Sequence, residues 1–285
     1  MNFFHVNTDH LSEKLLFRDD EDFKAGMNFT AIIAGTLDVN VLAFILMSNH
    51  VHYVLEGAKE LVLEFITRFK SLYSGYFCNK YKVKDYLKGV GVDIKEITDY
   101  DYLRKAVAYV VMNSVAAKIC LEAGGYPWGS GACYYNSKVM RGIRVGDMSE
   151  RARIRSFHSR QAVNPEWILT DEGYIDPRSF VKYRFVESLY GTPAGMHYNL
   201  VNSSKAKMRL ESGAGLPAFR DQVLLEGLKD LCINLFNKKD QTTLSTEEMS
   251  ELLKQLKRRF SADIKQLCRV VGLPYEEAAR LIDRI

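Results

Sequence analysis

Apolar and polar positions divide the chain into a mixed first third, a loosely patterned middle and a helical last quarter. Asn2–Val6 has the composition of a short strand. Asp19, Asp20, Glu21 and Asp22 then open a helix predicted to run towards Ala34 and to stop at Gly35. The helix dipole favours carboxylates in a first turn, which accounts for this acidic cluster without a metal ion. Val39–Met47 is an apolar run with the pattern of a buried strand, and Ser48-Asn49 turns it tightly into a second, alternating strand, His50–Leu55. From Glu60 to Tyr81 helical spacing offers Leu61, Leu63, Phe65, Ile66, Phe69, Leu72, Tyr73 and Tyr76 for burial. Lys88–Asp93 reads as turns, and Asp99–Leu121 as a further helix. The order strand–helix–strand–strand–helix predicts an α+β fold: a ferredoxin-like antiparallel sheet with helices on one face.

After Pro127 the pattern loosens through Gly129, Gly131 and a basic run, with further turn signals between Pro165 and Pro193. Helical patterning returns from Leu210, and Glu247–Ile285 reads as two or three short helices with a turn at Gly272-Leu273-Pro274. The expected organisation is a first domain over residues 1–135, a basic, loop-rich connection over 136–205, and an all-α C-terminal region over 206–285.

Composition is that of an ordinary globular chain: 285 residues, 47% hydrophobic, 26% charged, with a net charge of +4. The overall balance says little about nucleic acid, but the distribution says more. Lys138, Arg141, Arg144, Arg151, Arg153, Arg155 and Arg160 face only Asp147 and Glu150 in their stretch, and a second basic stretch includes Lys257, Arg258 and Arg259. Such clusters suit phosphate contact, although most are simply solvated surface. The five cysteines are widely spaced and form no CxxC pair, which fits a reducing cytosol better than a disulfide framework or a zinc site. Val39–Met47 is too short to cross a bilayer, and the start lacks a secretory pattern. The expected setting is therefore cytoplasmic, with no membrane partner.

Two constellations carry candidate chemistry. His50 and His52 are two apart on a predicted strand, so both imidazoles project from one face, about 7 Å apart along the strand. Such a pair can hold one divalent ion; it can equally be two histidines satisfied by ordinary hydrogen bonds. Tyr109 and Asn113 are four apart on a predicted helix and so lie on one face, a phenol and an amide at a spacing that suits a nucleophile and a ligand.

These motifs resemble a known family. Met47-Ser48-Asn49-His50-Val51-His52 resembles the "MPNHVH" strand of HUH transposases with a single catalytic tyrosine. Tyr102-Leu103 with Tyr109-Val110-Val111-Met112-Asn113-Ser114-Val115 is similar to their "YL…YIxxNPV" helix, and Tyr126-Pro127-Trp128-Gly129-Ser130 to the "Y-x-W-S-S" segment that follows. Phe17–Phe23 resembles the acidic opening of their first helix. The subgroup most similar is that of REP-associated tyrosine transposases and related insertion-sequence enzymes, over about residues 1–135. The resemblance implies an HUH fold in which His50 and His52 bind Mg2+ or Mn2+, Asn113 completes the metal site, and Tyr109 attacks single-stranded or hairpin DNA to leave a 5′-phosphotyrosine. It implies a nucleoid-associated protein whose tyrosine helix serves its own metal site or that of a partner in a homodimer. Lys88, Arg141, Arg144, Arg151, Arg153, Arg155, Lys257, Arg258 and Arg259 are the candidate DNA contacts.

The chain also departs from the family. Ser48 and Ser114 stand where relatives have proline, and no "GRF"-like stretch precedes the tyrosine helix; Lys88-Gly89-Val90-Gly91-Val92 stands there instead. The C-terminal layout suits a helix-turn-helix, yet its second helix opens with Glu276-Glu277, which repel phosphate, so a packing or dimerisation module is an equal alternative. Two other functions compete with the transesterase. One is a domesticated, non-catalytic DNA-binding regulator. The other is a histidine-triad nucleotide hydrolase, which would need a third histidine where this chain has Val54.

Overall fold

The computed structural model describes residues 2–8, 11, 14–204 and 219–283. His10 and the expected onset of helix at Leu210 lie outside the described residues. No helix among the described residues is long and apolar enough to cross a membrane.

The sheet is built from β1 (Asn2–Thr8), β2 (Asn40–Met47), β3 (His50–Gly57) and β4 (Val92–Ile97), in the order β2-β3-β1-β4 with every pair antiparallel. In β1, Phe4, Val6 and Thr8 are buried while Phe3, His5 and Asn7 are half-buried on the other face. Helices α1 (Asp20–Thr36) and α2 (Lys59–Tyr81) lie side by side on the Phe4 face. Tyr53 anchors both: its ring meets Phe65 and Phe69 of α2, and its hydroxyl shares a hydrogen bond with Thr30 of α1 at 3.0 Å. Leu63, expected in the core, is instead 53% exposed on the outer side of α2.

The sheet is covered on both faces, which corrects the expected single helical layer. Helix α3 (Tyr100–Val111) crosses the other face over β2 and β3, capped by Asp99, whose side chain accepts from Tyr102 N. This is why β2 is apolar from Val41 to Met47: residues of both parities are buried. Strand β4 occupies part of the stretch read as turns. Only Ile97 of its six residues is buried, so as an edge strand it carries little apolar signal. The long helix expected to reach Leu121 breaks at Met112; a single turn, α4 (Asn113–Ala116), follows, and Lys118 takes a positive φ of 60°. Asn113 explains the break, because its side-chain amide donates to the carbonyls of Tyr109 and Val110 at 2.9 and 3.1 Å and competes there with the helix ladder.

Trp128–Ser130 runs along the outer edge of β2, where Leu46 N donates to Trp128 O and Ser130 N to Phe44 O. Gly129 permits this approach: a Cβ there would sit 2.7 Å from Phe44 O. Trp128 stacks on Phe23, and the hydroxyls of Tyr126 and Tyr134 donate to Leu46 O and Leu42 O. The connection after residue 135 holds short elements: a two-stranded ribbon, β5 (Ile143–Arg144) with β6 (Ile168–Leu169), and helices α5 (Glu150–Phe157), α6 (Tyr183–Tyr190) and α7 (Pro193–Val201). It contributes Val145, Phe157, Val163, Ile175 and Val186 to the core that holds the sheet, one cluster reaching from Phe4 to Met196. A second core, from Leu224 to Leu281, joins helices α8 (Asp221–Phe236), α9 (Thr246–Phe260), α10 (Ile264–Val271) and α11 (Tyr275–Ile282). Gly272, with φ of 81°, makes the turn between α10 and α11.

Candidate functional site

His50 opens β3 directly after the two-residue turn, paired with Met47, and His52 follows on the same face. Both are nearly buried, at 6% and 2% exposure, with ring centroids 4.8 Å apart and planes nearly perpendicular. Asn49 fixes the first ring. Its amide nitrogen donates to Leu11 O at 2.9 Å, so the oxygen is the amide atom that lies 2.8 Å from His50 Nδ1. A carbonyl oxygen can only accept, so Nδ1 carries a proton, and in the neutral ring Nε2 carries the lone pair.

The second ring is held by a residue that the sequence left without a role. His5 on β1 stacks on His52 at 5.2 Å, and its Nε2 lies 3.2 Å from His52 Nδ1. With the shared proton on His52 Nδ1, both strand histidines have the same tautomer and present Nε2. The signal for His5 was present in part: it stands on the face of β1 opposite to Phe4 and Val6. What the sequence lacked was the long-range pairing that sets Asn7 opposite His52 and brings β1 alongside the pair.

Tyr109 reaches the same place from α3. Its half-buried ring meets His52 edge-on at 5.7 Å and His5 at 5.5 Å. The structure thus brings together His50, His52, His5 and Tyr109. Asn113 is buried one turn beyond, with its amide nitrogen committed to its own helix, so ligation by Asn113 would use its Oδ1. The donor set fits a divalent ion of intermediate hardness: two imidazole nitrogens, each ring oriented through its other nitrogen, as is usual around bound metals. Among the described residues no group of three or more histidine, cysteine, aspartate or glutamate side chains is placed to hold a metal, so a site here rests on two histidines plus an amide, water or substrate.

The predicted basic contacts are dispersed. Arg151, Arg153 and Arg155 lie on α5, which packs on α1 through Asn28 and Ser156 O, so they belong to the side of the sheet away from the histidines. Arg144 pairs with Glu166, and Lys88 lies 3.6 Å from Asp85, both at the surface. Arg141 is exposed beside the β5–β6 ribbon, and Lys257, Arg258 and Arg259 form the exposed last turn of α9, where cations complement the helix dipole. Of the remaining described histidines, His158 packs at a tilt against the ring of Tyr76 of α2, its pKa lowered by burial, and His197 is exposed on α7. The acidic opening of α1 is structural: Asp19 caps the helix, and Lys80 of α2 bonds both Asp19 and Asp22.

No protein-family profile matches the chain, and no curated protein does. Among solved structures it is similar to a REP-associated tyrosine transposase bound to a REP hairpin, with a TM-score of 0.33 and 15% identity over 45% of this chain and 74% of that one.

Proposed function

We propose that the chain is a metal-dependent DNA strand transferase that cuts and rejoins single-stranded hairpin DNA through Tyr109. One observation carries the reading. Residues separated by some 57 positions in sequence, a phenol on α3 and an HxH pair on β3, lie in ring contact, and these are the residues on which the family resemblance rests. The strand order and connectivity of the sheet also suit the ferredoxin-like arrangement expected of that family.

His50 and His52 would hold the ion through Nε2, with Asn113 Oδ1 as a further ligand. A bound Mg2+ or Mn2+ would polarise the scissile phosphate and offset charge on its oxygens. The phenol oxygen of Tyr109 attacks phosphorus, a P–O bond to Tyr109 forms, and the bond to the 3′ oxygen breaks. The phenol gives up one proton and the departing 3′ oxygen takes one up, so cleavage is proton-neutral. One phosphodiester replaces another, so the reverse attack by a 3′-hydroxyl reseals DNA without a nucleotide energy source. Asn49 and His5 keep the two imidazoles in the ligating tautomer, and the contacts of Tyr109 with His5 and His52 orient the nucleophile.

The test is a denaturing-gel search for a covalent protein–DNA adduct, using a pool of labelled single-stranded hairpins and Mn2+. Wild-type protein gives an adduct that chelator abolishes, and Tyr109→Phe gives none. An adduct that persists in Tyr109→Phe refutes the assignment of the nucleophile. No adduct with any hairpin, from protein that still retains them on a filter, favours the regulator reading.

A further inference from the structure

The two-residue turn before His50 is not self-sufficient. Tight two-residue hairpins favour primed turns with positive φ, and neither Ser48 nor Asn49 takes one. The turn is held from outside: Phe17 N donates to Ser48 O, Leu11 N to Asn49 O, and the Asn49 amide to Leu11 O. The remaining anchor comes from the C-terminal helices. Ser48 Oγ donates to Asp221 Oδ2 at 2.6 Å, across 173 positions of sequence. Asp221 is the first residue of α8 and only 3% exposed. Its carboxylate also accepts from Gln266 Nε2 at 2.9 Å and from Arg269 Nε and Nη2 at 3.0 and 3.3 Å, both on α10. The next residue, Gln222, donates to Phe17 O at 2.8 Å and so grips the residue whose own N–H holds Ser48.

Two consecutive residues of α8 therefore hold the turn, one directly and one through Phe17. The turn carries Asn49, which orients His50. Proline in place of Ser48 could not donate to Asp221, so this link belongs to the departure of this chain from the family pattern. We infer that the C-terminal helical unit is a clamp on the metal-binding strand, with Ser48 and Asp221 as positioning residues, so that docking of the unit and divalent-cation binding at His50 and His52 strengthen each other. The inference rests on the metal reading proposed above. Such coupling is reciprocal: a clamp that favours the ion must itself be tightened by the ion.

The test uses the full chain, titrated with Mn2+ alone by calorimetry and followed by hydrogen exchange with and without Mn2+. Ser48→Ala removes the link and leaves Asp221 its Gln266 and Arg269 partners, so folding is retained. We expect it to weaken Mn2+ binding about ten-fold, the lower end for loss of an outer-shell support. Ser48→Thr keeps the hydroxyl and binds as the wild type does. Asp221→Asn weakens binding at least as much as Ser48→Ala. In the wild type, Mn2+ slows exchange in α8; in Ser48→Ala it does not. If the wild type binds Mn2+ and Ser48→Ala binds it equally well, with exchange in α8 indifferent to the ion, the clamp is refuted and the metal reading stands. A wild type that binds no Mn2+ sinks the metal reading. Exchange of residues 46–52 without metal then decides the clamp: faster in Ser48→Ala supports it, and unchanged overturns it.

Discussion

Lys80→Met should cost several kcal/mol at neutral pH and less in acid. Lys80 Nζ donates to Asp22 Oδ1 at 2.7 Å and to both oxygens of Asp19 at 2.7 and 2.8 Å. Asp19 is about half-exposed, and its share of the pair contributes at most about 1 kcal/mol. Asp22 is different, for its side chain is 0% exposed. Burial pushes its carboxyl above the ordinary value, although Lys80 and the Arg18 N–H pull against it. Burial would likewise lower the Lys80 ammonium, but the hydrogen bonds with Asp19 and Asp22 outweigh it and hold that group above its usual range. Methionine keeps the packing and removes the cation, leaving Asp22 with only the Arg18 N–H and the hydroxyls of Tyr81 and Tyr76. Stranding a buried charge in this way costs about 3–5 kcal/mol. The sign with pH follows from the raised folded-state value. Native Asp22 in the variant holds its proton more tightly than the unfolded chain does, so stability is regained as pH falls through the folded value, by up to about 1.4 kcal/mol per unit. The assay is urea unfolding at pH 7 and pH 5, read from the fluorescence of buried Trp128, which stacks on Phe23 beside Asp22. A deficit below about 1 kcal/mol at pH 7, or one that widens in acid, would refute the reasoning.

Asn49→Ala loses hydrogen bonds to Leu11 O and His50 and should lower stability by about 2 kcal/mol in urea unfolding, at about 1 kcal/mol per bond. Because His50 can then turn or change tautomer, Mn2+ affinity in the same variant should fall at least about ten-fold by calorimetry; intact affinity would show that Asn49 does not orient the ring. Gly129→Ala puts a Cβ 2.7 Å from Phe44 O and 3.2 Å from Ile45 Cα, backbone atoms that cannot swing aside, and should cost about 1–3 kcal/mol. Gly75→Ala is its control within α2: a Cβ there meets nothing within 4 Å, so melting should rise by the equivalent of about 0.5–1 kcal/mol. Equal effects at the two glycines would contradict the packing described.

The first three strands and two helices were legible from local signals: strand-like composition in β1, an apolar run in β2, alternation in β3, an acidic first turn and a glycine stop for α1, and helical spacing in α2. Strand β4 was not, since an edge strand that buries only Ile97 needs no apolar pattern. The end of α3 was missed for a local reason, the competition of the Asn113 side chain for helix carbonyls, which a window of apolar residues does not register. The middle of the chain reads as loops because its elements are two to nine residues long, yet Val145 and Phe157 enter the main core. Within the site, the shared face of His50 and His52 follows from strand parity alone, and that of Tyr109 and Asn113 from helical spacing, while the role of nucleophile for Tyr109 is what the family resemblance implies. His5 needed the pairing of β1 with β3. Ser48 stood out only as a departure from the family pattern, because its partner, Asp221, lies 173 positions away.

The strip laid along β2 has a consequence for self-association. Unpaired strand rims are where protein chains stick to one another, and here the β2 rim is already occupied by Trp128–Ser130 and by Lys182, whose N–H bonds Val41 O. The opposite rim is six residues long and presents Asp93, Lys95 and Glu96, charges that resist stacking of identical copies. Among the described residues, the four-stranded sheet therefore has one rim covered and the other charged, and neither favours its extension by a second copy.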